Sequence, residues 1–74
     1  MSENTRPILS IIGGTGDLGS GLARSWSKAG YTVILGSRAS EKAVQAAAAL
    51  RQEGFANIEG AANVDAAARG DVIV

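Results

Sequence analysis

A parallel α/β sheet with helices packed on its faces is the fold class this sequence predicts. Three observations predict it. Short apolar, β-branched runs alternate with helical patterns along the whole chain. Two of the helical patterns end at a glycine followed by an aromatic residue, Ala29-Gly30-Tyr31 and Glu53-Gly54-Phe55. A glycine-rich turn, Gly13-Gly14-Thr15-Gly16-Asp17-Leu18-Gly19, joins the first apolar run to the first helical pattern.

The elements follow in order. Residues 1–6 are polar and read as a loose tail ahead of Pro7. Ile8 to Ile12 is apolar without alternation, as expected of a strand covered on both faces. A helix opens at Asp17 or Leu18. Its apolar stripe is Leu18, Leu22, Trp26 and Ala29, with Arg24, Ser25 and Lys28 off it. Gly30 is placed to end that helix in the left-handed conformation that side chains resist. Tyr31 to Leu35 reads as the second strand. Ser40 is a candidate N-cap for the second helix, with Glu41 beside its positive dipole end. Ala43, Val44, Ala47 and Leu50 supply its apolar face, and Gly54 closes it. Phe55 to Gly60 reads as a third strand. Asn63 is placed to cap a helix over 64–69, Gly70 stops it, and 71–74 starts a fourth strand. With strand order 3-2-1-4, the fourth strand would be an exposed edge, and the chain is expected to be marginally stable.

Composition narrows the function. The 74 residues carry seven basic and seven acidic side chains, a formal net charge of zero, and so lack the basic excess of a typical nucleic-acid binder. Cysteine and histidine are both absent, which removes thiolate and imidazole chemistry, including the usual zinc ligands, from this segment. No metal site is expected. The first residues lack the charged-then-apolar layout of a secretory signal. No apolar run approaches the length needed to cross a bilayer, so the expected location is the cytoplasm.

Gly14-x-Gly16-x-x-Gly19 has the spacing of the dinucleotide-binding turn of Rossmann-type domains, and its context is the required one, after a strand and into a helix. Each glycine has a reason. Gly14 allows the tight exit from the strand, Gly16 removes a Cβ where backbone approaches a pyrophosphate, and Gly19 lets the helix sit close to the strand. The helix start supplies unpaired N–H groups and the positive dipole end. The candidate cofactor-binding set here is Gly14, Thr15, Gly16, Asp17, Leu18 and Gly19. The Leu18 side chain is expected in the core, and Gly21 reads as a second close-packing position.

Domains that read NAD place a carboxylate roughly 20 residues beyond this turn, at the end of the second strand. Here that region is Gly36-Ser37-Arg38, with no carboxylate to repel a phosphate. Arg38 can grip a 2′-phosphate bidentately, Ser37 can donate a hydroxyl proton, and Lys42 follows one helical turn on. The expected cofactor is therefore NADP. Thr15 can reach the same phosphate or bond its own turn backbone.

The run from Gly13 to Ala23, Gly36-Ser37-Arg38, Lys42-Ala43, and Asn63-x-Asp65-Ala66-Ala67 followed by Asp71-Val72-Ile73-Val74 resemble the NADP oxidoreductases that use the deazaflavin coenzyme F-420. The likeness extends from Ile8 onward. It implies a hydride moved between reduced F-420 and NADP, with Thr15, Ser37, Arg38 and Lys42 on the 2′-phosphate. It also implies a following part that completes the deazaflavin pocket, so the chain reads as the front of a longer enzyme and is expected to be inactive alone. The chemistry would belong to the two cofactors, and no catalytic side chain is assigned. A homodimer is the assembly that base rates favour for the longer protein. An NADP-dependent short-chain-type reductase and a non-catalytic NADP-binding sensor stay open beside this reading. So does a reductase of the pyrroline-carboxylate or ketol-acid kind. The short-chain pattern carries a glycine where this chain has Leu22.

Overall fold

The computed structural model describes residues 7–13 and 16–74, apart from the side chain of Asp17. The tail and the positions of Gly14 and Thr15 lie outside the described residues. The elements run β1 (Ile8–Ile11), α1 (Asp17–Lys28), β2 (Thr32–Ser37), α2 (Ser40–Gln52), β3 (Ile58–Ala62), α3 (Asn63–Arg69) and β4 (Val72–Ile73). The sheet is parallel throughout, in the order β3-β2-β1-β4. This is the expected α/β, Rossmann-type arrangement, with β4 at an edge.

One core forms where α1 and α2 cover the sheet. Ile11, Val33, Leu35 and Ile58 meet Ala23, Ala47 and Leu50, and Leu22, Trp26, Tyr31 and Phe55 close the margins. The opposite face carries Ser10 and α3. Ser10 is fully buried, and its hydroxyl donates to the Ala66 carbonyl at 2.6 Å, so this polar group in mid-sheet is satisfied.

The glycine-aromatic echo is a pair of identical helix endings. Gly30 and Gly54 take φ of 100° and 109°. Gly30 N–H donates to Ser27 O and Tyr31 N–H to Trp26 O, each at 3.0 Å; Gly54 N–H donates to Arg51 O at 3.0 Å and Phe55 N–H to Leu50 O at 3.2 Å. Both are Schellman motifs, and in each the aromatic after the glycine lies against the core beside the last apolar residue of the helix. Arg24 on α1 makes a bidentate pair with Glu53 after α2, at 2.9 and 3.0 Å. Its guanidinium, hydrogen-bonded to Glu53, holds that carboxyl below the ordinary glutamate range.

Several boundaries and burials differ from the sequence reading. β1 stops at Ile11, and Ile12 is half-exposed in the turn. β2 runs on through Gly36 and Ser37, because β3 pairs with it to the end, Gly36 with Ala61 and Ser37 with Ala62. β3 accordingly starts at Ile58 rather than Phe55, which the Schellman cap of α2 claims. β4 is Val72–Ile73, although the flanking Asp71 and Val74 N–H groups also donate to β1. Ala39, not Ser40, is the N-cap of α2, and the Ser37 hydroxyl accepts from Ala39 N–H at 3.3 Å. Val44 is 47% exposed because only Ala43, Ala47 and Leu50 face the sheet. Ala29 ends α1 in the exposed C-cap.

Glycines mark where a helix touches the sheet. A Cβ on Gly60 would enter the Ala43 carbonyl and lie 2.6 Å from Val44 N, so α2 rests its backbone directly on β3. Gly21 is the reverse of its expected role: it is exposed, and a Cβ there would meet nothing within 4 Å. Gly60→Ala is expected to destabilise the protein by about 1–3 kcal/mol, since the helix backbone cannot yield as a side chain would. Gly21→Ala is expected to stabilise it by about 0.5–1 kcal/mol through helix propensity. Thermal unfolding followed by circular dichroism checks both, with opposite signs.

Candidate functional site

In a parallel sheet every strand-to-helix turn falls at one edge. Ile11 is registered with Leu35, so two residues further on each strand stand Gly13 and Ser37. The register thus brings the glycine turn beside the Ser37-Arg38 segment, which are 24 residues apart in sequence between Gly13 and Ser37 (37 − 13). β1 has β2 on one side and β4 on the other, which makes its carboxyl end the switch point of the sheet, where open α/β folds take their ligands.

A cleft of about 350 Å³ opens there. It is bordered by Gly13, Gly16 and Gly19 and by the apolar residues Ile11, Ile12, Leu18, Leu22 and Val74. The volume falls within the usual range for small-ligand sites. Gly16 is the N-cap of α1, with φ −84° and ψ 179°, and no side chain caps it. A Cβ at Gly16 would meet nothing within 4 Å, so the glycine leaves open space in front of the helix start. Uncapped N–H groups and an unobstructed approach suit an anionic ligand.

Leu18 departs from expectation. It is 80% exposed and lines the cleft instead of joining the core. It sits in the first turn of α1, beyond the end of β1, where the sheet offers nothing to pack against; Leu22, one turn on, reaches the core margin. Gly19 is buried and borders the cleft. Gly14 and Thr15 lie outside the described residues, as does the Asp17 side chain.

On the β2 side, Ser37 is buried at 8% exposure. Its oxygen accepts from Ala39 N–H, which leaves the hydroxyl proton to donate elsewhere. Arg38 and Lys42 are exposed, Arg38 ahead of the α2 N-cap and Lys42 in its first turn. The basic residues divide by role. Arg24 pairs with Glu53, Arg69 with Glu59 at 2.9 Å, and Arg51 donates to the Ile58 carbonyl at 2.7 Å. Among the described residues, neither Arg38 nor Lys42 enters such a bond.

Sequence reasoning missed Ile12, Leu22 and Val74 as cleft residues: Ile12 and Val74 are apolar residues at strand ends and look like core, and Leu22 in mid-α1 serves the core margin as well as the cleft. It also misplaced one polar side chain, Asn63. Asp71, in the bend between α3 and β4, accepts from Ile8 N–H at 2.9 Å and so ties that bend to the start of β1. Asn63 is the first residue of α3, not its cap, and its Oδ1 accepts from Gly13 N–H at 3.2 Å. No cluster of histidine, cysteine or carboxylates able to hold a metal occurs among the described residues, and none of their helices is long and apolar enough to cross a membrane.

A sequence profile described as "NADP oxidoreductase coenzyme F420-dependent" matches residues 8–74. The F420-dependent NADP reductase of Methanothermobacter thermautotrophicus is 48% identical over 69 residues, covering 89% of this chain and 30% of the relative. The F420-dependent NADP reductase of Methanothermobacter marburgensis is 56% identical over 39 residues, covering 53% of this chain and 17% of the relative. The chain thus spans under a third of the length of these relatives.

Proposed function

Because the chain belongs to the coenzyme F420-dependent NADP oxidoreductase family, we propose that it forms the NADP-holding part of an enzyme that moves a hydride between reduced F-420 and NADP. The observation that carries this reading is the meeting of two features at the switch point. The α1 N-terminus faces an open cleft, and the carboxylate-free end of β2 stands beside it.

The residues fit the cofactor. Backbone N–H groups at the start of α1 would hold the pyrophosphate, with Gly14, Thr15, Gly16, Asp17, Leu18 and Gly19 forming the turn around it. Gly16 admits the phosphates because nothing fills the space in front of it. Ser37 would donate its hydroxyl to the 2′-phosphate, already oriented by the bond from Ala39 N–H. Arg38, Lys42 and Thr15 would supply the rest of that grip; both cations stand at the start of α2, beside the end of β2. The transferred hydride is the chemistry of the nicotinamide and the deazaflavin. This chain binds, orients and selects; F-420 would be held mainly by sequence outside it. The reading includes a cytoplasmic enzyme acting on small molecules rather than nucleic acid, supported by the zero net charge, and a homodimer as its assembly.

Two measurements test the reading. With the longer enzyme mixed with reduced F-420, the deazaflavin absorbance is expected to return on adding NADP and to change little with NAD. No reaction, with NADP still bound tightly, would leave the cofactor site and remove the deazaflavin partner. Arg38→Ala is expected to weaken NADP binding roughly ten- to a hundredfold, the equivalent of about 1.5–3 kcal/mol from lost charge-assisted bonds, and to leave NAD binding unchanged. Equal losses for both nucleotides would sink the 2′-phosphate assignment.

A further inference from the structure

Asn63 stands where three strand ends converge. It follows Ala62, the last residue of β3, whose registered partner is Ser37 at the end of β2, and its amide reaches Gly13 just past β1. We infer that Asn63 is a positioning residue for the glycine turn: its Oδ1 fixes the Gly13 N–H and so holds the turn in the shape that presents its backbone to a pyrophosphate. This rests on the NADP reading of the same site.

Three observations carry it. The first is what the side chain forgoes. Asparagine ahead of a helix ordinarily caps it. Here Ala62 is the N-cap of α3, no side chain makes the cap bond, and the Asn63 amide turns across the sheet edge instead.

The second is the state of Gly13. Its φ is +69°, in the left-handed region. The last ladder bond at the end of β1 is Ile12 N–H to Val74 O at 3.0 Å. Beyond it the chain leaves the sheet, and the next N–H has no strand to donate to. The Asn63 oxygen, 50 residues downstream, receives it. Tying the N–H of this left-handed entry residue narrows the shapes the turn can sample and so keeps N–H groups aimed at a phosphate.

The third is Gly36. The sequence reading credits this position only with the absence of a carboxylate. In the structure a Cβ on Gly36 would lie 2.7 Å from Asn63 Oδ1 and 3.1 Å from Ala66 Cβ. Gly36 is therefore the space that the Asn63 amide occupies. Any side chain at 36, a ribose-binding carboxylate included, displaces the amide from Gly13. The preference for a cofactor with a 2′-phosphate and the shape of the pyrophosphate turn are thus linked through one side chain.

The test uses two ligands and a mutant cycle. NADP carries both the pyrophosphate and the 2′-phosphate; adenosine 2′-monophosphate carries only the latter. By isothermal titration calorimetry, Asn63→Ala is expected to weaken NADP on the order of three- to tenfold, the worth of one hydrogen bond, while adenosine 2′-monophosphate changes less than about twofold. Gly36→Ala is expected to do the same, and the double variant to bind NADP no worse than Asn63→Ala alone, because both changes break one contact. Amide exchange gives a second readout: the Gly13 proton exchanges faster in both single variants. Equal loss of both ligands, no loss of either, or additive losses in the double variant would each overturn the inference. Should Asn63→Ala not fold, Gly36→Ala with the same ligand pair and the Gly13 exchange rate decides it. A wild-type protein that binds neither ligand would instead sink the NADP reading, and this inference with it.

Discussion

The parallel pairing of β1 with β2, from Ile8 against Thr32 to Ile11 against Leu35, is the constraint on which the rest depends. Parallel strands need a crossover between them, and the crossover here is α1. The helix therefore begins at one edge of the sheet and must return to the other. All of its unpaired N–H groups are consigned to the edge where β1 and β2 both end. The glycine turn and the Ser37-Arg38 segment become neighbours by register, with no contact needed to recruit them. β4 pairs along the other side of β1, and Val74, just beyond it, borders the cleft at the same edge.

The glycines then separate by what stands in front of them. At Gly60 a backbone carbonyl occupies the Cβ position, and at Gly36 an amide does; at Gly70 it is the Ser10 side chain. These residues are contact surfaces. At Gly16 there is only open space, bounded by a helix start. One residue type thus serves close packing on the sheet faces and approach of a ligand at the sheet edge. The distinction lies in the neighbours and is invisible in the spacing.

Much of the fold was legible. The β-branched runs and the two glycine-aromatic pairs locate the strands and the ends of α1 and α2, because local hydrogen bonding decides those features. Boundaries set by partners were not. Ser37 reads as loop until Ala62 is found beside it, and Phe55 reads as strand until Leu50 takes its N–H. Within the candidate site, the turn and the carboxylate-free end of β2 were legible from type and spacing. Leu18 was not: helical periodicity counts it with Leu22 and Trp26 but cannot say where the sheet stops. Asn63 was misplaced for a related reason. Its position matches a cap, and its actual partner is set by tertiary packing across 50 residues.

The lone tryptophan shows what the layout means for observing the molecule. Trp26 lies against the core in the last turn of α1, and Gly16, the N-cap, sits at the opposite end. Ten residues separate them (26 − 16), about 15 Å along the helix axis. The indole is thus sensitive to whether the core is assembled, and it stands one helical turn beyond Leu22, which borders the cleft. Its emission is an internal thermometer of the fold and, so near the cleft wall, also a witness to what fills it, so the ligand-free protein supplies the baseline that separates the two.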